Sequence, residues 1–226
     1  MISLTKTNCP QILLDNAEIW REELMATINA GGEPTRTQKN RYSRRQVKDA
    51  IVAETHEKCA YCESKIRHVD DGDIEHIAPK APHPERSFEW ENLTLACTIC
   101  NRFKDDYTVT PDTPEELINP YSDNPSNHFL FHKEILTPAP ESLRAHKTEE
   151  VIRLNRNELV EKRREKIAEV HDYLTSYAQA TAEYKPFVLR QIKRQCIGED
   201  KEYSAYIKSY INQMIDRGTI PAEIYD

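Results

Sequence analysis

Apolar positions at helical spacing open the chain. Trp20, Leu24 and Ile28 recur every four residues and form one stripe, which predicts a helix ending near Gly31-Gly32. A second helix is expected from Ser43, whose hydroxyl can cap it while Gln46 reaches back, with Val47, Ala50 and Ile51 turned inward. The linker between these helices is polar and carries Pro34. Beyond residue 56 the pattern changes to that of strands. Lys65 to Val69 reads as a strand, Asp70-Asp71-Gly72 as a turn in which Gly supplies positive φ, and Asp73 to Ala78 as a second short strand. Pro79, Pro82 and Pro84 make the stretch to Glu91 a loop. Asn92 to Ala96 alternates again, with Leu93 and Leu95 on one face, and Thr98 to Asp106 fits a short helix.

The rest begins irregular and proline-rich as far as Pro140, then turns helical. Thr148 is a candidate cap, and Leu159, Ile167, Val170, Leu174 and Tyr177 recur at helical spacing. Arg153, Arg156, Lys162, Arg163, Arg164 and Lys166 decorate the same region. A last helix is expected to hold Tyr203, Tyr206, Ile207, Tyr210, Ile211 and Met214. These patterns divide the chain into a helical segment (1–55), a small mixed unit (56–107) and an irregular, then helical region (108–226). The fold class is α+β and mainly helical.

Composition narrows the class. With 38% hydrophobic and 31% charged residues, the chain has a modest core and is not disordered. No apolar run approaches the ~20 residues of a membrane span, and the start has no apolar signal segment, so a cytoplasmic home without membrane attachment is expected. The net charge of −7 argues against gripping nucleic acid over the whole surface. Local charge differs: Arg36, Lys39, Arg41, Arg44, Arg45 and Lys48 form a basic run without an acidic residue.

The cysteines carry the first chemistry. Cys59-Ala-Tyr-Cys62 and Cys97-Thr-Ile-Cys100 are two knuckles, each presenting two sulfurs, and four thiolates can hold one structural Zn²⁺. The stretch between them exceeds zinc-ribbon spacing, which an inserted hairpin and loop would explain. Cys9 and Cys196 read as small buried thiols. Inside the frame lies Asp73-Ile-Glu75-His76-Ile-Ala-Pro79, and Asn101 follows the last cysteine. Histidine titrates near neutrality and suits a general base. Glu75 and Asn101 offer the oxygen donors that a hard cation such as Mg²⁺ needs. Adjacent strand residues point to opposite faces, so Glu75 and His76 serve one site only where the strand bends. His56, His68 and His83 flank these residues without a spacing that demands a role.

Glu75-His76-Ile-x-Pro, Asn92-Leu, and Cys97-x-x-Cys100-Asn101-x-x-Lys104 together resemble the HNH nucleases, whose core is the ββα-metal fold. The resemblance implies a zinc-stapled ββα-metal core flanked by N- and C-terminal helices. It implies His76 as general base, Asn92 as the residue that holds the loop and orients the histidine strand, and Glu75 with Asn101 as ligands of a catalytic Mg²⁺ or Mn²⁺. Glu75 stands where the family usually has Asp. Lys80 and Lys104 would lie near the substrate's phosphates. Lys58-Cys-Ala-Tyr-Cys-Glu63, Trp90-Glu-Asn-Leu93, Leu117-Ile-Asn-Pro-Tyr121 and Leu154-Asn-Arg156 are similar, in that order, to the PtuB-type nucleases of Septu and some retron antiphage systems. That likeness implies a PtuA-type ATPase partner and cleavage of nucleic acid, DNA first and RNA or tRNA second. A non-catalytic zinc-framed interaction module is the rival reading, and a redox protein using the cysteine pairs a third.

Overall fold

The computed structural model describes residues 1–66 and 70–225. Helix α1 (Gln11–Asn29) buries Leu13, Trp20 and Leu24, with Ile28 partly covered, and stops at Ala30-Gly31, where Gly31 takes φ +75°. The linker then holds an element that the pattern did not suggest. Thr35 and Gln38 form a reciprocal capping box that starts the one-turn helix α2 (Arg36–Lys39). The Ser43–Gln46 box does not form. Helix α3 (Arg45–Glu54) starts later, with Arg44 at the cap and no side-chain bond. Ser43 instead closes the turn after α2, its N–H donating to the Asn40 carbonyl at 2.9 Å. Val47 and Ile51 are fully buried as expected.

Strand β1 (Asp73–His76) pairs antiparallel with β2 (Leu93–Ala96), Asp73 opposite Ala96 and His76 opposite Leu93, and helix α4 (Thr98–Lys104) follows. The expected partner of β1 was the segment Lys65 to Val69. Lys65 instead bridges to Lys58, and residues 67–69, His68 among them, lie outside the described residues. The turn glycine holds: Gly72 has φ +68°, and an added Cβ there would stand 3.1 Å from Leu95 Cδ1 and 3.2 Å from Ile66 Cγ2. Both faces of β2 are buried, because α3 packs beside it.

The proline-rich stretch conceals a hairpin, β3 (Phe129–His132) with β4 (Ile135–Pro138). Its turn uses Lys133 at φ +52° rather than a glycine, so the usual turn signal is missing. Pro138 sits at the strand end, where a missing N–H costs little. Helix α5 (Leu143–Ile152) is capped by Ser142, not Thr148. Thr148 lies in its interior, donating to the Arg144 carbonyl at 2.7 Å and accepting from the Ile118 N–H at 2.8 Å. Helices α6 (Asn157–Gln179), α7 (Lys185–Cys196) and α8 (Ser204–Asp216) complete the chain, with a short 3-10 turn at Ala222–Tyr225. Arg163 does not decorate a surface: it is buried, its guanidinium 4.2 Å from the Tyr206 ring centre. Cys196 is buried, and Cys9 only partly so.

Among the described residues the apolar side chains form two clusters. The larger joins Trp20, Ile51, Leu93, Leu95, Ile118, Phe129, Ile152 and Leu159. The other joins Ile167, Val170, Leu174, Ile192, Ile211 and Ile224. A buried ionic knot ties the first residues to the mixed unit. The Lys6 ammonium lies 4.1 Å and 4.3 Å from the ring centres of Trp90 and Tyr121, pairs with Glu54 at 2.9 Å and donates to the Leu93 carbonyl. Glu54 also accepts from the Thr7 N–H at 3.1 Å and from the Tyr121 hydroxyl at 2.7 Å. Burial holds the Lys6 pKa below its ordinary value.

Removing one partner of such a knot leaves a buried charge alone. Glu54→Ala is expected to lower stability by ~3–5 kcal/mol. Tyr121→Phe, which removes one neutral donor, is expected to cost about 1–1.5 kcal/mol. Urea denaturation followed by circular dichroism measures both, and equal losses would contradict the ionic account.

Candidate functional site

The two knuckles converge. Cys59 and Cys62 lie in a tight loop in which the Cys59 N–H donates to the Ser64 carbonyl, the Glu63 N–H donates to the Cys59 carbonyl, and the Ala60 N–H donates to the Leu95 carbonyl at 2.9 Å. Cys97 caps α4, its sulfur accepting from the Cys100 N–H at 3.4 Å. The four Sγ atoms all lie within 4.8 Å of one another, Cys62 and Cys97 at 3.9 Å. Tetrahedral Zn–S bonds of ~2.3 Å place sulfurs roughly 3.8 Å apart, so the set fits one zinc ion. Arg156 points a guanidinium nitrogen at Cys100 Sγ from 3.6 Å, opposing the negative charge that four thiolates leave on such a centre. The sequence displayed Arg156 among several basic residues and within the Leu154-Asn-Arg156 motif, and neither marked this contact with a cysteine.

Asn92 fastens the other end of the strand pair. Its Oδ1 accepts from the Ala78 N–H at 2.7 Å, while its Nδ2 donates to the carbonyls of Ala78 at 3.0 Å and Arg86 at 3.1 Å. One amide therefore ends β1 and folds the proline loop back over it, with Ile77 N–H still pairing with the Asn92 carbonyl. The loop delivers the Ser87 carbonyl to His76 Nε2 at 2.9 Å. A carbonyl only accepts, so the neutral imidazole carries its proton on Nε2 and keeps a lone pair on Nδ1. The ring is 3% exposed and stands edge-on to Tyr42 at 4.5 Å between centres. Burial pushes its pKa down to about 3, with the charges of Lys80 and Lys104 acting in the same direction.

The opposite face of β1 carries the oxygen donors. Glu75 is 7% exposed and pairs with Lys104 Nζ at 2.7 Å, and the same ammonium donates to the His76 carbonyl at 2.7 Å. Burial raises the Glu75 pKa, and Lys104 opposes the rise. Asn101 does not meet Glu75. Its Nδ2 donates to Asp73 Oδ2 at 2.9 Å. Asp73 thus joins the donor set, a residue that the sequence reading passed over although it lies two positions before Glu75 on the same strand face. Carboxylates and an amide are hard oxygen donors, suited to Mg²⁺ or Mn²⁺. Lys104 had been expected on a phosphate-facing surface; at 2% exposure it is turned inward.

Lys80 does face a cavity. Its Nζ donates to the Tyr42 hydroxyl at 2.7 Å. With Arg36, Lys39, Asn40, Pro84 and Ser87 it lines a cavity of about 700 Å³. The basic run divides: Arg41 pairs with Glu23, Arg44 lies over the Trp20 ring, Arg45 pairs with Asp49, and Lys48 donates to the Gly72 carbonyl, while Arg36 and Lys39 line the cavity, Lys39 paired there with Glu33 at 3.3 Å.

With this geometry in place, comparison with known proteins identifies the unit. Residues 59–106 match the family model described as HNH endonuclease, and the chain carries an HNH endonuclease domain there. The chain is 30% identical to the Septu protein PtuB of Bacillus thuringiensis over 158 residues, 69% of this chain and 55% of the relative. It is 30% identical over 150 residues to the Septu protein PtuB of Bacillus mycoides (strain KBAB4), covering 54% of this chain and 51% of the relative. The chain spans about half the length of these curated relatives.

Purified protein is expected to contain about one zinc per chain. Cys62→Ser is expected to lose the metal and cooperative unfolding together. Arg156→Leu is expected to keep the stoichiometry but release zinc faster to a colorimetric chelator; an unchanged release rate would show that the arginine does not act on the centre.

Proposed function

We propose that this chain, through its HNH endonuclease domain, hydrolyses phosphodiester bonds in nucleic acid with a divalent cation. The observation that supports the reading is His76: neutral, held by the Ser87 carbonyl through Nε2 so that Nδ1 keeps its lone pair, on the short strand whose other face carries the oxygen donors. His76 Nδ1 takes the proton from a water whose oxygen attacks phosphorus. The P–O3′ bond breaks and the departing oxygen takes a proton from solvent water, leaving 5′-phosphate and 3′-hydroxyl ends. Glu75 and Asn101, with Asp73 beside them, would hold Mg²⁺ or Mn²⁺. When bound, such an ion neutralises charge on the phosphate and the departing oxygen. Asn92 positions the histidine strand rather than touching substrate.

Arg36, Lys39 and Lys80 give the backbone of the substrate a basic path into the cavity that Ser87 also lines. Contacts of this kind grip phosphates and carry little sequence information. DNA is the favoured substrate and RNA the second. Similarity to Septu proteins supports a role in antiphage defence with a PtuA-type ATPase as partner. Among the described residues no helix is long and apolar enough to cross a membrane.

The full chain, alone and with any ATPase that co-purifies, is expected to cut plasmid DNA or RNA in Mg²⁺ or Mn²⁺ and not in EDTA. His76→Ala is expected to slow cleavage by ~10²–10⁴-fold, the usual contribution of a general base. Glu75→Gln and Asn101→Ala are expected to be similarly impaired while retaining zinc. Wild-type protein that leaves both nucleic acids intact under all these conditions would overturn the reading.

A further inference from the structure

Lys104 stands where a cation is wanted. Its ammonium touches Glu75 Oε1 and the His76 carbonyl, both at 2.7 Å, and its side chain is nearly sealed from solvent. The lysine is in the last turn of α4, three residues beyond Asn101, so one helix supplies both the occupant of Glu75 and the amide that is bonded to Asp73. Of the donors assigned to the divalent ion, Glu75 is therefore engaged by Lys104 through Oε1 and Asp73 by Asn101 through Oδ2. A dication bound to Glu75 would lie within a few ångströms of the ammonium, and like charges at that distance in a buried site repel strongly. An ion that takes Glu75 Oε1 takes the place of the ammonium.

We propose that Lys104 is a resident counter-ion of Glu75, which the divalent ion must displace for the site to load. The fold provides a place for the displaced group. Lys104 also lines a cavity of about 300 Å³ with Ile77, Ala78, Pro79 and Arg86, the segment that directly follows His76. Rotation of the lysine side chain into this space frees Glu75 and brings the ammonium to the loop where a substrate phosphate is expected. In the metal-free protein the lysine keeps a buried carboxylate paired. In the loaded protein it becomes a phosphate contact. This inference rests on the assignment of Glu75 to the divalent ion.

Mn²⁺ binding to the zinc-loaded full chain, measured by titration calorimetry, separates the two ideas. If the paired state is populated above ~90%, apparent affinity is lowered about tenfold, so Lys104→Gln is expected to bind Mn²⁺ at least ~10-fold more tightly while Lys104→Arg stays near wild type. Glu75→Gln is expected to lose binding. Unchanged Mn²⁺ affinity in Glu75→Gln would remove the ligand assignment itself. Dependence on Glu75 with unchanged or weaker affinity in Lys104→Gln would overturn the displacement alone. A second measurement needs no variant. In wild-type protein, Lys104 is expected to resist an amine-reactive ester without Mn²⁺ and to be modified once Mn²⁺ saturates the site, as read by peptide mass spectrometry. Equal modification in both states would also overturn it.

Discussion

A ribbon of two four-residue strands is too small to persist alone, and here its strands are joined by a long loop rather than a tight turn. What fixes it is closure at both ends. At one end the four cysteine sulfurs gather, with Ala60 adding a backbone bond to Leu95. At the other, the Asn92 amide accepts one bond from the loop, donates two to it, and ends β1 at His76. The position of the histidine, the direction of its free nitrogen and the approach of α4 to the other strand face all follow from this double closure. Hydrophobic packing then covers both faces of β2, so that the register cannot slip without exposing one set of side chains.

Residue type and spacing marked the cysteine knuckles, whose sulfurs converge in the fold. Glu75, His76, Asn92 and Asn101 were singled out with the help of a resemblance to the HNH nucleases, whose family model matches this stretch. Pairings set by three-dimensional packing were not legible in the sequence. Lys104 on a helix reads as a solvated cation, and only the approach of α4 to β1 shows it pointing at Glu75. A capping box formed at Thr35, on a one-turn helix that the pattern did not mark, and none formed at Ser43, because α3 starts at Arg45 with Arg44 in the cap position. The β3–β4 hairpin escaped notice because its turn residue, Lys133, gives no glycine signal. Arg163 looked like surface charge, yet the face of Tyr206 offers its guanidinium an aromatic bed inside the protein.

Charge illustrates the same limit at larger scale. A net charge of −7 describes the chain, while Arg36, Lys39 and Lys80 describe one cavity. The cations that matter most to the architecture are not on that surface at all. Lys6 sits between two aromatic rings and a carboxylate, and Lys104 between a carboxylate and a carbonyl. Each is a cation paired where solvent is largely excluded, which makes these pairs demanding of geometry and intolerant of truncation.

Helix α6 has 23 residues and therefore runs roughly 34 Å as one rod. It begins directly after Arg156, contributes Leu159 to the larger apolar cluster, and ends among Ile167, Val170 and Leu174 in the other. The distal helices are thus not an appendage on a hinge. They share a stiff axle with the sulfur centre, and whatever grips them holds a handle whose other end lies, through Arg156, beside the four cysteines.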